Sequence, residues 1–161
     1  MNAISYTPIG VIRSPFQAPT GMPVQSVAAK GVAGMIELDP VYQGGLQDLE
    51  GFSHLLLLYH FHLVRRSSSL VVTPFLDDQP HGVFATRSPQ RPNPIGLSVV
   101  RLLRVAGTQV HIEDVDVVDG TPLLDMKPYV PAFDVRAASS IGWFAQRLGQ
   151  VDYVRADHRF S

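Results

Sequence analysis

The chain has 161 residues, no cysteine, a formal net charge of −1 and an isoelectric point near 6.6. This length suits one domain with a real buried core. The composition excludes a disulfide framework and a cysteine-ligated zinc site, and near-neutrality argues against a protein that coats nucleic acid by charge alone.

Met1-Asn2-Ala3-Ile4-Ser5 has no charged segment followed by an apolar one, so no signal peptide is expected. The longest apolar run, Leu55 to Tyr59, is far short of a membrane span. A cytoplasmic protein without a membrane anchor is the expectation. Tyr6 to Arg13 reads as a first strand, broken at Ser14-Pro15, and residues 17–23 read as a turn-rich loop. Val32 to Leu38 has strand character and stops at Asp39-Pro40. Val41 to Leu49 can form a short helix with Leu46 and Leu49 on one face and Gly51 as its C-terminal cap.

Phe52 to Val64 is the most apolar segment. Alternate residues of a strand share a face, which puts His54, Leu56, Leu58, His60 and His62 on one side and Leu55, Leu57, Tyr59, Phe61 and Leu63 on the other. Both sides are mostly apolar, so the run reads as a central strand, and Leu55 to Leu58 suit either a core or a dimer interface. Three histidines of one parity invite a metal, but no carboxylate or further histidine is placed by spacing to complete a site; no metal is expected. Leu70 to Phe75, Leu97 to Val105 and Gln109 to Val118 are further strands, the last two joined at Ala106-Gly107-Thr108. Near the C-terminus a helix is expected, capped by Ser140, with a buried stripe of Ile141, Phe144, Ala145 and Leu148 and an end at Gly149. Val151 to Arg155 reads as a short edge strand. Closely spaced strands with Gly/Pro turns and few helices predict a mainly β fold: a single-domain β-barrel or sandwich over residues 1–161.

Between two of these strands stands Gly82-Val83-Phe84-Ala85-Thr86-Arg87-Ser88-Pro89-Gln90-Arg91-Pro92-Asn93-Pro94-Ile95-Gly96. A strand-like start, Val83 to Thr86, leads into three prolines, each of which fixes its own φ and restricts the preceding residue. The result is a stiff extended loop that holds Arg87 and Arg91 in set directions, and such loops on rigid scaffolds carry function disproportionately. The cations are eleven arginines against Lys30 and Lys127. Arginine offers a planar fork to phosphate and carboxylate and stacks on bases. Arg65-Arg66, Arg87, Arg91, Arg101 and Arg104 are near enough in sequence to form one patch. A second informative stretch is Asp116 to Tyr129, with Asp119-Gly120 as a tight-turn signal and carboxylates at a strand end.

No G-x-G-x-x-G, G-x-x-x-x-G-K-[ST], H-E-x-x-H or G-x-S-x-G is present. Any nucleotide-like ligand must therefore be held by a non-Rossmann, β-rich scaffold. Ile9 to Phe16, Gly51-Phe52-Ser53-His54-Leu55, Gly82 to Gly96 and Asp116 to Tyr129, in this order, resemble the TrmO (TsaA-like) family. The resemblance covers roughly residues 4 to 135, and the closing Arg155 to Phe160 is similar to the end of its short members. It implies an S-adenosylmethionine-dependent methyltransferase on an antiparallel β-barrel with short added helices. The family works as a homodimer on N6 of N6-threonylcarbamoyladenosine beside the tRNA anticodon.

Carried over by position, the cofactor contacts would be Pro23, Val24 and Gln25, then Phe61 and His62, then Arg87 and Leu97. The last group is Asp119, Gly120, Thr121, Pro122 and Leu123. An aromatic face such as Phe61 favours a sulfonium, and Arg87 suits a carboxylate of cofactor or substrate. Asp119 fits ribose hydroxyls, and Asp119 or Asp125 fits the role of proton acceptor. Arg91, Asn93, Lys127 and Tyr129 are the candidates for the tRNA anticodon loop, whose unstacked bases arginine planes and aromatics can cover. Two other classes stand beside this one: a non-catalytic module that binds S-adenosylmethionine or a nucleotide, and a metal-dependent barrel using His54, His60 and His62.

Overall fold

The computed structural model describes residues 2–65 and 67–160. Eight strands follow in chain order: β1 (Gly10–Arg13), β2 (Ala33–Leu38), β3 (His54–His60), β4 (Val71–Val72), β5 (His81–Gly82), β6 (Ile95–Ala106), β7 (Gln109–Glu113) and β8 (Thr121–Pro128). Six close an antiparallel barrel in the order β1-β2-β7-β6-β3-β8, with β8 returning to β1, while β4 and β5 form a separate ribbon. The expected mainly β, barrel-type fold is what the chain adopts.

Alternation builds the barrel. Along β3, Leu55, Leu57 and Tyr59 are buried inside, and His54, Leu56, Leu58 and His60 are half-buried on the outer side. The strand is central because both neighbours need it. It pairs with β6 from His54↔Arg101 to His60↔Ile95, and with β8 from Leu55↔Pro128 to Tyr59↔Leu123. A bulge between Leu58 and Tyr59 shifts the β8 register, and a second between Leu102 and Arg104 shifts that of β6 against β7. Such bulges bend strands around a closed wall. Ile12, Ile36, Leu55, Leu57, Ile112 and Leu123 fill the interior and are wholly or almost wholly buried. Each contributes about 1.5–3 kcal/mol by its removal from water. β6 turns into β7 through Gly107-Thr108, with Ala106 facing Gln109, and Gly107 takes a φ of +63° that glycine adopts freely.

Several elements are shorter or different from the sequence expectation. β1 starts at Gly10 rather than Tyr6, and the strand expected over Leu70 to Phe75 is only Val71–Val72, β4 of the ribbon. β7 stops at Glu113 because Asp114 turns left-handed at φ +70°. The expected helix over Val41 to Leu49 is a 3-10 helix over Pro40–Leu46, started by the Asp39 carboxylate accepting from Val41 N (3.0 Å). Gly44-Gly45 in its last turn disfavours continuation as an α-helix. Val83–Ala85 is a 3-10 turn rather than a strand.

The C-terminal helix is the largest correction. Two 3-10 turns, Gly142–Gln146 and Leu148–Gln150, replace it; Ser140 caps neither, and Ile141 and Leu148 are exposed. Gly142 sits at φ +59°, which breaks a continuous helix. Trp143 is held sideways instead: its Nε1–H donates to the Ala85 carbonyl (2.8 Å) and its ring stacks on His81 (4.5 Å, 13°). Val151 to Arg155 forms no strand, only an isolated bridge from Arg155 to Pro23. Through this bridge, with Gly21 N donating to Ala156 O and Ala156 N to Met22 O, the tail is tied to the first loop.

Candidate active site

One end of the barrel opens into a cavity of about 590 Å³. Distant stretches of the chain meet there because β3, β6 and β8 deliver their loops to the same side. The first loop supplies Pro23, Val24 and Gln25, and the end of β3 supplies Tyr59, Phe61 and His62. The proline loop brings Arg87, Arg91 and Asn93 and runs on into Gly96 and Leu97. The β7–β8 connection adds Asp116, Val117 and Thr121, and the tail closes the wall with Trp143, Phe144 and Phe160.

The proline loop is braced as its composition predicts. Thr86 and Ser88 are buried; Thr86 Oγ1 donates to Val83 O (2.8 Å) and accepts from Ser88 N (3.2 Å). Arg91 is turned onto the loop itself, donating to the carbonyls of Thr86 (3.3 Å) and Ser88 (3.5 Å). Phe61 N donates to Pro94 O (2.8 Å), which fixes the loop's end to β3. Arg87 reaches across to the first loop and donates to Gln25 Oε1 (2.9 Å).

A buried polar chain runs along the barrel wall beneath the cavity. Ser98 Oγ donates to Asp116 Oδ1 (2.5 Å) and lies 3.0 Å from Tyr59 Oη. Burial pushes the Asp116 carboxyl up to about 6, against the pull of the Ser98 hydroxyl and the Arg87 charge. Burial, with the nearby Asp116, also raises Tyr59 far above the ordinary phenol value, so it stays neutral. His62 is lowered by burial and by neighbouring His60.

The remaining sequence candidates lie elsewhere. Asp119 accepts from Ser14 N (3.1 Å) and stands 3.7 Å from Arg13, and Gly120, at φ +78°, donates to Ile12 O. These two residues fasten the β1–β8 corner between the cavity-lining Val118 and Thr121. Pro122 is not among the cavity residues, and the Leu123 side chain is wholly inside the barrel core. Asp125 pairs with Lys127 (2.6 Å) on the outer surface, and Tyr129 meets His54 edge-on (6.3 Å). At strand rise, Lys127 is about 20 Å along β8 from Thr121. The arginine patch is divided: Arg87 and Arg91 line the cavity, Arg101 pairs with Glu113 (3.7 Å) well along β6, and Arg104 stands opposite His111. Arg66 lies outside the described residues. Among the described residues no three His, Cys, Asp or Glu side chains gather as a metal site.

Sequence reasoning passed over Ser98, Tyr59, Asp116 and the tail aromatics as site residues. The one signal for Asp116 is its place at the head of the carboxylate-bearing stretch Asp116 to Tyr129; its neighbours Val117 and Val118 line the cavity as well.

The tRNA-methyltransferase O N-terminal domain family matches residues 11–135. The chain belongs to this family. A crystal structure of TrmO from Pseudomonas aeruginosa has the same fold, with TM-score 0.73 at 39% identity over 88% of this chain and 63% of that one. A probable S-adenosyl-L-methionine-binding protein of Pyrococcus abyssi is 51% identical over 157 residues, 98% of this chain and 85% of the relative. The tRNA (adenine(37)-N6)-methyltransferase of Mus musculus is 39% identical over 133 residues, 79% of this chain and 31% of that protein. The chain thus spans about three fifths of the length of the solved TrmO chains it matches. Trp143, Phe144 and Phe160 lie beyond residues 11–135, so part of this cavity wall is built outside the stretch that the family match covers.

Proposed function

We propose that this chain is an S-adenosylmethionine-dependent tRNA methyltransferase, and that its acceptor is N6 of N6-threonylcarbamoyladenosine beside the anticodon. The observation that carries the reading is convergence. Pro23 to Gln25, Phe61, His62, Arg87, Leu97 and Thr121, drawn from distant parts of the TrmO-matched region, border one cavity. Its volume falls within the range of small-molecule sites. The residues suit the cofactor: Arg87 offers a fork to its carboxylate, Phe61 a face to its sulfonium, and Phe144, backed by Trp143, an apolar plane to its adenine. When bound, the cofactor supplies an activated methyl group; the protein's part is to align it with a weakly nucleophilic nitrogen. Arg91 and Asn93, which border the same cavity, are the contacts this reading assigns to the anticodon-loop nucleotide. Lys127 and Tyr129, remote from the cavity within one chain, belong in this reading to the wider tRNA-binding surface.

A homodimer is part of the proposal. Leu58 and Leu97 face each other on the outer side of β3 and β6, and Leu97 and Ile95 are exposed. This apolar strip is suited to a second copy. Asp119, Gly120, Pro122 and Leu123 keep their proposed cofactor role through the corner they build beside Thr121. The reading is tested by methyl transfer to tRNA that carries or lacks the threonylcarbamoyl group. A module that binds the cofactor without catalysis would bind it and yield no methylated product on either tRNA.

A further inference from the structure

We propose that Asp116 takes the proton from the acceptor nitrogen during methyl transfer, and that Ser98 and Tyr59 are positioning residues that hold its carboxylate. This rests on the methyl-transfer reading above. Three observations carry it. Asp116 is on the cavity wall, whereas Asp119 is engaged by Ser14 and Arg13 and Asp125 by Lys127 outside the cavity. The relay has one direction: the Ser98 hydroxyl gives its proton to Asp116 at 2.5 Å, so in the 3.0 Å contact with Ser98 it is Tyr59 that donates. A chain oriented this way ends on a carboxylate as acceptor. Apart from Ser98 and Asp116's own backbone N–H, no described protein donor engages that carboxylate, which leaves it capacity for a ligand proton.

The electrostatics agree. The groups facing Asp116 are Tyr59 from β3, Ser98 from β6 and Arg87 from the proline loop. Burial holds Asp116 near 6 against the latter two, close to where a general base works best at neutral pH. As the bond from nitrogen to the methyl carbon forms, the methyl–sulfur bond breaks and its electron pair stays on sulfur. Asp116 takes the N–H proton released by the nitrogen. The positive charge lost at sulfur leaves the site as that proton, so the step balances.

The test compares the unmodified protein with Asp116→Asn, Asp116→Glu, Ser98→Ala and Tyr59→Phe. The readouts are S-adenosylhomocysteine affinity by calorimetry and single-turnover methylation of threonylcarbamoylated tRNA from pH 5 to 8. Asp116→Asn should bind within about threefold of the unmodified protein but methylate roughly 100-fold or more slowly, the span of general-base losses. Asp116→Glu should recover part of the rate. The unmodified rate should rise with pH through about 6. Ser98→Ala should move that limb to higher pH, since the hydrogen bond it removes favours the charged carboxylate, and Tyr59→Phe should move it less in the same direction. Rates within threefold for Asp116→Asn, or a limb that Ser98→Ala leaves in place, would overturn the assignment even while the unmodified protein is active. An unmodified protein that methylates nothing would instead overturn the underlying reading, and this one with it. If Asp116→Asn does not fold, the Ser98→Ala limb alone decides.

Discussion

The ring of Tyr59 lies directly over the α-carbon of Gly96, its partner across β3 and β6. A Cβ at Gly96 would stand 2.1 Å from Tyr59 Cε2. The absence of a side chain lets the tyrosine lie flat and direct its hydroxyl to Ser98, two residues further along the same face.

Gly96→Ala therefore forces the ring or the strand to move. Overpacking of this kind costs about 1–3 kcal/mol, and denaturant unfolding should show a loss in that range. The same variant should loosen the Tyr59–Ser98 contact, and unchanged stability would mean that the ring has another place to go.

Arg87 joins the proline loop to the first loop through Gln25 (2.9 Å) while it borders the cavity. Charged hydrogen bonds are worth about 1.5–3 kcal/mol. Arg87→Ala should weaken S-adenosylmethionine binding by roughly 10- to 100-fold. Gln25→Ala, which removes only the loop-to-loop partner, should weaken it less. Calorimetric titration separates the two, and equal affinities for Arg87→Ala and the unmodified protein would remove Arg87 from the site.

Asp77 clasps the tail to the ribbon, with its carboxylate on His81 Nε2 (3.1 Å) and on Arg147 (2.9 Å). The hydrogen bond from His81 is the main cause holding its pKa well below the usual carboxylate value. A lowered folded pKa means that the contribution is complete above the unfolded value of about 3.9. It is lost as pH falls from there toward the folded value. Asp77→Asn should melt a few degrees lower than the unmodified protein at pH 7, with the gap unchanged down to about pH 4 and narrowing only as the pH falls further. A gap independent of pH would contradict the clasp.

Leu58 faces outward from β3 opposite Leu97, so Leu58→Glu leaves the barrel interior intact. Sedimentation should show a dimer for the unmodified chain and a monomer for the variant, while the melting of the barrel changes little. A variant that sediments as the unmodified protein does would place any self-association on another face.

Much of this architecture was legible in the chain. The two-sided apolar run around Leu55 to Tyr59 identified the central strand, and the prolines identified the stiff loop that presents Arg87. Both are local patterns. The tail was not legible in the same way. Ile141, Phe144, Ala145 and Leu148 have helical spacing, yet the left-handed Gly142 and the stacking of Trp143 on His81 override it with contacts made about sixty residues away. Asp116 belonged to a stretch that stood out but was not singled out within it, for a related reason. Asp119 and Asp125 stand at turn and strand positions that look functional in one dimension, and only the closure of β6 and β3 against the β7–β8 connection reveals which carboxylate meets the cavity. Positional carry-over placed Leu123 among the cofactor contacts, whereas alternation along β8 sends its side chain into the core.

The most direct test of the central claim is transfer of label from radiolabelled S-adenosylmethionine to tRNA, with threonylcarbamoylated and unmodified tRNA side by side. The account predicts label on the modified tRNA only, located at N6 of the adenosine beside the anticodon. Label on both tRNAs would contradict the acceptor, and cofactor binding without label on either would contradict catalysis. A protein that does not bind S-adenosylmethionine at all would contradict the assignment of the cavity itself.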